Sequence, residues 1–128
     1  MQTALDLEFV PQMAAVRTAR DATAAVVPSL SPARQDDMRL LVSVIVTNSV
    51  LHRHPRGWIR LTVACGDGTV RVEVRTPGTD ISFERSAKAG TLRESGWGMY
   101  LLENLADRWG LSSGDGDTCV WFELDQDG

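Results

Sequence analysis

Gly96 and Gly98, a pair of glycines at the start of a predicted helix, have a spacing that suggests ligand binding. Glycine lets the backbone approach a ligand closely, and the free N–H groups at the positive end of a helix suit a phosphate group. Taken alone, the pair equally fits a tight entry into the helix, capped by Ser95. Thr76-Pro77-Gly78, directly after a predicted strand, is ambiguous between a turn and a ligand-contacting loop, and alone it favours the turn.

Asn48 and His52 are polar side chains on an otherwise apolar helix face. Met38, Leu41, Ile45, Asn48 and His52 fall at steps of three and four, which places them along one face of a helix. A buried amide without a partner costs about 1–3 kcal/mol. Asn48 is therefore either a ligand, since an amide oxygen can join a Mg²⁺ shell of phosphate and water, or a structural bridge from helix to loop. His52, near the helix end, fits a cap better than a ligand.

Length, composition and charge exclude several classes of protein. A chain of 128 residues with 43% apolar residues can bury one ordinary core, so we expect a single domain over residues 1–128. The net charge of −4 lacks the basic excess that nucleic-acid binding requires. No apolar run is long enough for a membrane span, and the first residues do not resemble a signal peptide. We therefore expect a cytoplasmic protein with no nucleic-acid or membrane partner.

The cysteines and histidines predict neither a disulfide nor a metal site. Cys65 and Cys119 both lie in β-like runs, where small core residues are the favoured interpretation in a reducing compartment. There is no CxxC motif, and His52 and His54 lie too close together to complete a zinc site by themselves.

Periodicity predicts the elements that must position these residues. A strand over Ala4–Val10 precedes two helices, which cover about 12–27 and 32–52, the second capped by Ser31. Alternation in 59–65 and 70–75 around Gly66-Asp67-Gly68 predicts a hairpin. Residues 76–95 show no periodicity, which suggests a mobile lid. A helix from Gly96 to about Arg108 with Gly110 as its stop, a strand near 109–112 and a last strand over 118–124 follow.

This order of elements predicts an α+β fold. Helices on one face of a mixed, mostly antiparallel sheet would form a two-layer sandwich. The other sheet face would then be open. Trp58, Arg60, Arg71 and Arg75 are predicted on that open side, where they are either partner contacts or a solvated surface.

Together and in this order, the motifs resemble the GHKL (Bergerat-type, histidine-kinase-like) ATP-binding fold. Within it they resemble the anti-sigma-factor serine kinases of bacterial partner-switching systems, especially the short actinobacterial ones. Leu41–His52 is similar to the family's N box, Val74–Gly78 to its first glycine box and Glu94–Met99 to its second. Leu105–Gly110 and Cys119–Leu124 are similar to its C-terminal signature. The likeness covers nearly the whole chain.

The resemblance implies a site for ATP or ADP with Mg²⁺. Asn48 would be the Mg²⁺ ligand, Gly96, Gly98 and Met99 would belong to the phosphate-binding box, and Gly78 would belong to the first glycine box. Three other positions depart from the family pattern. Val44 stands where the family has the Glu that acts as general base, Thr76 where it has the adenine-binding Asp, and Cys119 falls where it has a late-strand Thr.

These departures predict a degenerate site with no intact catalytic residue. A valine cannot remove a proton at any pH, and a neutral hydrogen bond is weaker than the charge-assisted one it replaces. Asp80 or Glu84 in the lid could supply a carboxylate. The simpler expectation is that phosphotransfer is absent or very slow and that nucleotide binding is weak or lost, so that the cofactor is either ATP or ADP with Mg²⁺ or none.

The function implied by the resemblance is a regulatory domain that binds a sigma factor, a STAS-type anti-anti-sigma protein or both, as a homodimer. One alternative is an active serine-protein kinase that phosphorylates an anti-anti-sigma factor by using an unconventional base. A second alternative is a sensor of another anionic ligand, which would use the phosphate end of the remodelled pocket.

Overall fold

The computed structural model describes residues 1–51, 57–78 and 97–126, which form five strands and three helices. In chain order these are β1 (Gln2–Phe9), α1 (Ala14–Val26), α2 (Pro32–Leu51), β2 (Ile59–Gly66), β3 (Thr69–Pro77), α3 (Trp97–Leu105), β4 (Arg108–Gly114) and β5 (Asp117–Asp125). The order of elements is the predicted one. The predicted cap of α2 is also confirmed, because the Ser31 hydroxyl accepts a hydrogen bond from the Arg34 backbone N–H at 3.3 Å.

One sheet, in the order β1-β2-β3-β5-β4, carries all five strands. Each of the four pairings among these described strands is antiparallel. Two Asp-Gly turns join the hairpins. Asp67-Gly68 connects β2 to β3 with φ values of 53° and 76°, and Asp115-Gly116 connects β4 to β5 with 54° and 79°. Positive φ at both central residues is what a type I′ hairpin turn requires, so the predicted hairpin and its turn are confirmed.

The core lies between one face of the sheet and the helices. Alternate residues of the central strands are fully buried there, including Ile59, Val72 and Phe122. α2 contacts β3 and β5, and it also packs against α1 and α3. The structure therefore confirms the predicted α+β sandwich with helices on one face of the sheet.

The third helix is shorter than its sequence pattern suggests. It ends at Leu105, and Gly110 lies inside β4 rather than acting as a helix stop. The indole of Trp121 on the neighbouring strand packs against Gly110, where an added Cβ would meet the indole nitrogen at 2.7 Å. The glycine therefore provides room for a tryptophan across the strand pair, which is a contact that local periodicity does not reveal.

Arg34, near the start of α2, fastens the end of α3 to the sheet. Its guanidinium donates to the Leu105 carbonyl oxygen at 3.0 Å, to Asp37 at 3.3 Å and to the Asp107 carboxylate. The same Asp107 oxygen accepts a hydrogen bond from the Asp125 backbone N–H at 2.8 Å. One largely buried side chain thus joins two helices, the start of β4 and the end of β5.

The open face of the sheet carries a continuous row of ion pairs. It runs across β4, β5 and β3 through Arg108, Glu123, Arg71, Glu73, Arg75 and Asp117. The Arg71 guanidinium also lies 4.1 Å from the centroid of the Trp121 ring, within the range of a cation–π contact. On the same face, at the β1–β2 end of the sheet, Arg60 pairs with Asp6 at 2.7 Å.

These pairs bear on the four open-face residues that the sequence offers as partner contacts. Arg60, Arg71 and Arg75 each have a carboxylate partner in the same chain, and Trp58 is half-buried. A partner would have to replace those intramolecular bonds in order to use the guanidinium groups. The structure therefore favours the second interpretation, a solvated sheet face whose arginines form ion pairs within the chain.

Replacing Arg34 tests the importance of the buried clamp. We expect Arg34→Met to lower the free energy of unfolding by about 3 kcal/mol, the low end of the cost of breaking a buried ion pair, because Asp107 keeps some exposure to water. Urea denaturation followed by tryptophan fluorescence measures the change.

A matched control is Arg17→Met on α1, where the side chain is 82% exposed and lies 3.8 Å from Asp21. That change should alter the free energy of unfolding by less than about 0.5 kcal/mol. Equal stability of the Arg34→Met and Arg17→Met proteins would show that the clamp contributes little.

The open-face carboxylates predict a loss of stability in acid. Hydrogen bonds from Arg108 lower the pKa of Glu123 and of Asp125 below their ordinary values of 4.5 and 3.8. At pH values between the folded and unfolded pKa values, the unfolded chain binds more protons than the folded chain. The contribution of these two carboxylates to the free energy of unfolding is therefore fully present above about pH 5 and is lost as the pH is lowered further. We expect Arg108→Gln to flatten this decline in urea titrations between pH 6 and pH 3. Arg39→Gln, at an exposed pair on α2, should leave the decline as it is in the unmodified chain.

Candidate functional site

Asn48 lies in the second half of α2, where the helix is apolar on most sides. The residue is only 9% exposed, and Ile45, one turn earlier on the same face, is fully buried. Its side-chain oxygen Oδ1 has no hydrogen-bond partner among the residues that the structure describes. Burying such an acceptor is unfavourable, which makes Asn48 a natural ligand for a cation or a hydrogen-bond donor.

Val44 lies one helical turn before Asn48, so both side chains share one face of α2. The side chain is half-buried and has no atom that can accept a proton. The only carboxylates of α2, Asp36 and Asp37, belong to its second turn, and none occurs from Met38 to Leu51. This face can therefore offer an amide oxygen but no base.

The paired ends of β3 and β5 bring two hydroxyl groups to the core side of the sheet. Thr76 pairs directly with Thr118. Both continue the inward alternation of their strands, because Val74 and Val120 face the core. The predicted site residue Thr76 thus has a second threonine opposite it.

Cys119, which the resemblance places where the family has a late-strand Thr, lies one position after the residue opposite Thr76. It pairs with Arg75, and it shares the open face of the sheet with Glu73 and Trp121. The threonine on the core face is Thr118, one position earlier. The alternation of Val120, Phe122 and Leu124 could have identified it, since even-numbered positions of β5 face the core.

Both cysteines are free, as predicted. Cys119 is buried beneath the charged residues of the open face, and this burial raises the pKa of its thiol. Burial likewise raises the pKa of Cys65. Neither thiol is positioned as an activated nucleophile, because an activated thiol needs a lowered pKa.

Gly78 directly follows β3 and is held by the hairpin of β4 and β5. Its N–H donates to the Gly116 carbonyl oxygen at 2.6 Å, and its own carbonyl oxygen accepts a hydrogen bond from the Thr118 hydroxyl at 2.8 Å. Its φ of 88° lies in the region that favours glycine. The structure thus gives Gly78 a local reason to be glycine.

Gly98 and Met99 lie in the first turn of α3, which begins at Trp97. Met99 is partly buried and packs against the core, so its side chain has a structural role whatever its backbone contacts. Gly96 and His52 lie outside the described residues, as do His54, Asp80, Glu84 and most of the predicted lid over 77–95.

The described residues fit part of a site for a Mg²⁺-bound nucleotide. The unpartnered Asn48 oxygen is a suitable Mg²⁺ ligand in a shell otherwise made of phosphate and water. Thr76 and Thr118 supply neutral hydroxyl groups but no carboxylate. Asp117 faces the other side of the sheet, 3.7 Å from Arg75. No group of three or more metal-binding side chains occurs within residues 1–51, 57–78 and 97–126.

Among the described helices, none combines the length and the apolar character that spanning a bilayer requires.

Comparison with known proteins shows the family. No curated protein matches the chain. Among solved structures, the crystal structure of the RsbU and RsbW domains of Rv1364c from Mycobacterium tuberculosis matches with a TM-score of 0.65 and 22% sequence identity. The match covers 94% of this chain and 32% of that chain, and at this identity it shows a shared fold. Residues 9–124 match the family described as histidine kinase-like ATPase domain, and the chain therefore belongs to that family.

Proposed function

We propose that this chain is an anti-sigma-factor-like regulatory domain of a partner-switching system, acting by binding a sigma factor, a STAS-type anti-anti-sigma protein or both. In this proposal it transfers phosphate slowly or not at all. The observation that carries the proposal is Val44, which shares a helix face with Asn48 and leaves that face without a base. Family membership and the fold shared with a structure that contains an RsbW domain support the regulatory role.

The consequence of Val44 for catalysis follows from the chemistry of phosphate transfer to a serine. The attacking hydroxyl must lose its proton, and a positioned general base contributes about 10²–10⁴-fold to the rate of such a step. Val44 cannot accept the proton, and α2 offers no other carboxylate from Met38 onward. Relative to a typical kinase rate of about 1 s⁻¹, we expect a rate lower by a factor within that range or larger.

Nucleotide binding is proposed to be weak and dependent on Mg²⁺. Asn48 would hold the ion through Oδ1, and the bound ion would neutralise part of the phosphate charge. Thr76 and Thr118 would border the base end with neutral hydroxyl groups. Exchanging a charge-assisted hydrogen bond for a neutral one costs about 1–2 kcal/mol, which corresponds to a loss of affinity of about fivefold to thirtyfold.

Partner binding remains possible when phosphate transfer is lost, since it does not require a base. We propose that the chain works in the cytoplasm as a homodimer and exerts its effect by sequestration of the partner. Of the two alternatives, an active kinase predicts rapid phosphate transfer by the unmodified chain. A sensor of another anion predicts that Asn48 is dispensable for ligand binding.

Calorimetric titration with ADP and with a nonhydrolysable ATP analogue tests the pocket. After removal of any copurified nucleotide, we expect weak binding in the presence of Mg²⁺ and a loss of at least about tenfold in Asn48→Ala, because the buried amide oxygen is the proposed ion ligand. Thr47→Ala, at the half-buried neighbouring position on α2, is the control and should keep the affinity of the unmodified chain. Equal affinities with and without Mg²⁺ would count against the assignment of Asn48.

Partner capture and phosphate transfer test the function itself. We expect the unmodified chain to bind a STAS-type protein or a sigma factor from its own genome, while labelled ATP gives transfer to the STAS-type protein far below about 1 s⁻¹. Val44→Glu should raise the transfer rate, because a carboxylate one turn before Asn48 can act as the base.

Val44→Gln is the matched control, since glutamine has the size of glutamate without its basic carboxylate. It should transfer phosphate no faster than the unmodified chain. Transfer by the unmodified chain at about 1 s⁻¹ or faster would refute the proposal in favour of the active kinase. Absence of binding to every sigma factor and STAS-type protein tested would refute the partner-switching role.

A further inference from the structure

We propose that Thr118 is a positioning residue, whose hydroxyl sets the backbone conformation at Gly78 and thereby shapes one edge of the nucleotide pocket. The proposal rests on the pocket described under Proposed function. It concerns the bond between the hydroxyl and the Gly78 carbonyl, and it requires no direct contact between Thr118 and a nucleotide.

The hydrogen bonds around Gly78 show how tightly this position is held. Its N–H donates to Gly116 at 2.6 Å and its carbonyl oxygen accepts from Thr118 at 2.8 Å, so both backbone groups are bonded to the β4–β5 hairpin. The first bond joins two backbone groups and is available to any sequence. The second depends on a hydroxyl at position 118, which only serine or threonine supplies at this side-chain length.

The regular β3–β5 ladder stops just before this point. Its last pair is Pro77 with Asp117, and proline has no N–H to donate. Gly78, with φ at 88°, then departs from the strand conformation, and it has no side chain whose packing could hold it there. The Thr118 hydroxyl is therefore the only side-chain group, among the described residues, with a hydrogen bond to the peptide that follows Gly78.

This anchor acts on a motif that lies at the pocket. Thr76, two residues before Gly78, faces the core side directly opposite Thr118. Thr76-Pro77-Gly78 is thus aligned against Thr118, Asp117 and Gly116. When the hydroxyl is removed, the Gly78 carbonyl loses its partner and the peptide can rotate, so the direction in which the chain leaves β3 is no longer set.

Amide hydrogen exchange in the nucleotide-free protein is the first measurement. Thr118→Val keeps the side-chain shape and removes the hydroxyl, and we expect the Gly78 amide to exchange about fivefold to tenfold faster, as loss of one hydrogen bond implies. The amides of Val72 and Val74 within β3 should keep their rates. Thr118→Ser should restore slow exchange at Gly78, which a role of the threonine methyl group in packing alone would not explain.

The second measurement is calorimetric titration of the same proteins with ADP and Mg²⁺. We expect Thr118→Val to weaken ADP binding by about fivefold to tenfold and Thr118→Ser to bind as the unmodified chain does. Thr62→Val is the matched control, because Thr62 is a half-buried β2 residue on the open face of the sheet. It should change neither measurement.

The two measurements separate failure of this inference from failure of the pocket. Unchanged exchange at Gly78 in Thr118→Val overturns the positioning role, whether or not ADP binds. Faster exchange, with equal ADP affinity for Thr118→Val and the unmodified chain, overturns the link to the pocket. No ADP binding by the unmodified chain, together with faster exchange in Thr118→Val, contradicts the nucleotide pocket and supports the local role of Thr118.

Discussion

The antiparallel register of β3 against β5 is the constraint on which the core, the open face and the candidate site all depend. Residues directly opposite each other share a face, and the face alternates at every step along the strand. Pairing Val74 with Val120 therefore places Thr76 with Thr118 on the core side and Arg75 with Cys119 on the open side. A shift of one residue in either strand would exchange these two sets and destroy both faces at once.

The two faces meet their polar requirements in opposite ways. On the open face each arginine finds a carboxylate in the same chain, so the charges stabilise one another and little is left for a partner. On the core side the Asn48 oxygen has no bond among the described residues. Such a buried acceptor favours a ligand at that position, and the proposed nucleotide site makes use of it.

The buried clamp and the site lie on the same helix but at different ends. Arg34 in the first turns of α2 holds the end of α3 and the end of the sheet, while Val44 and Asn48 occupy the second half of that helix. The position of the amide therefore depends on contacts made more than two turns away. A firmly held helix with an available amide and no base on that face fits the proposed regulatory role better than it fits rapid phosphate transfer.

The sequence by itself determined the element order, the helix-on-sheet layering, the β2–β3 hairpin with its Asp-Gly turn and the place of Asn48 on a buried helix face. These features follow from periodicity, capping and turn chemistry, which act between residues close in the chain. Only the tertiary structure decided that α3 ends at Leu105, that Gly110 lies under Trp121 and that Thr118 rather than Cys119 faces Thr76. It also decided the partners of Arg34, which lie 71 and 73 residues further along the chain. Such contacts depend on strand register and helix packing, and no local pattern specifies which distant residues will meet.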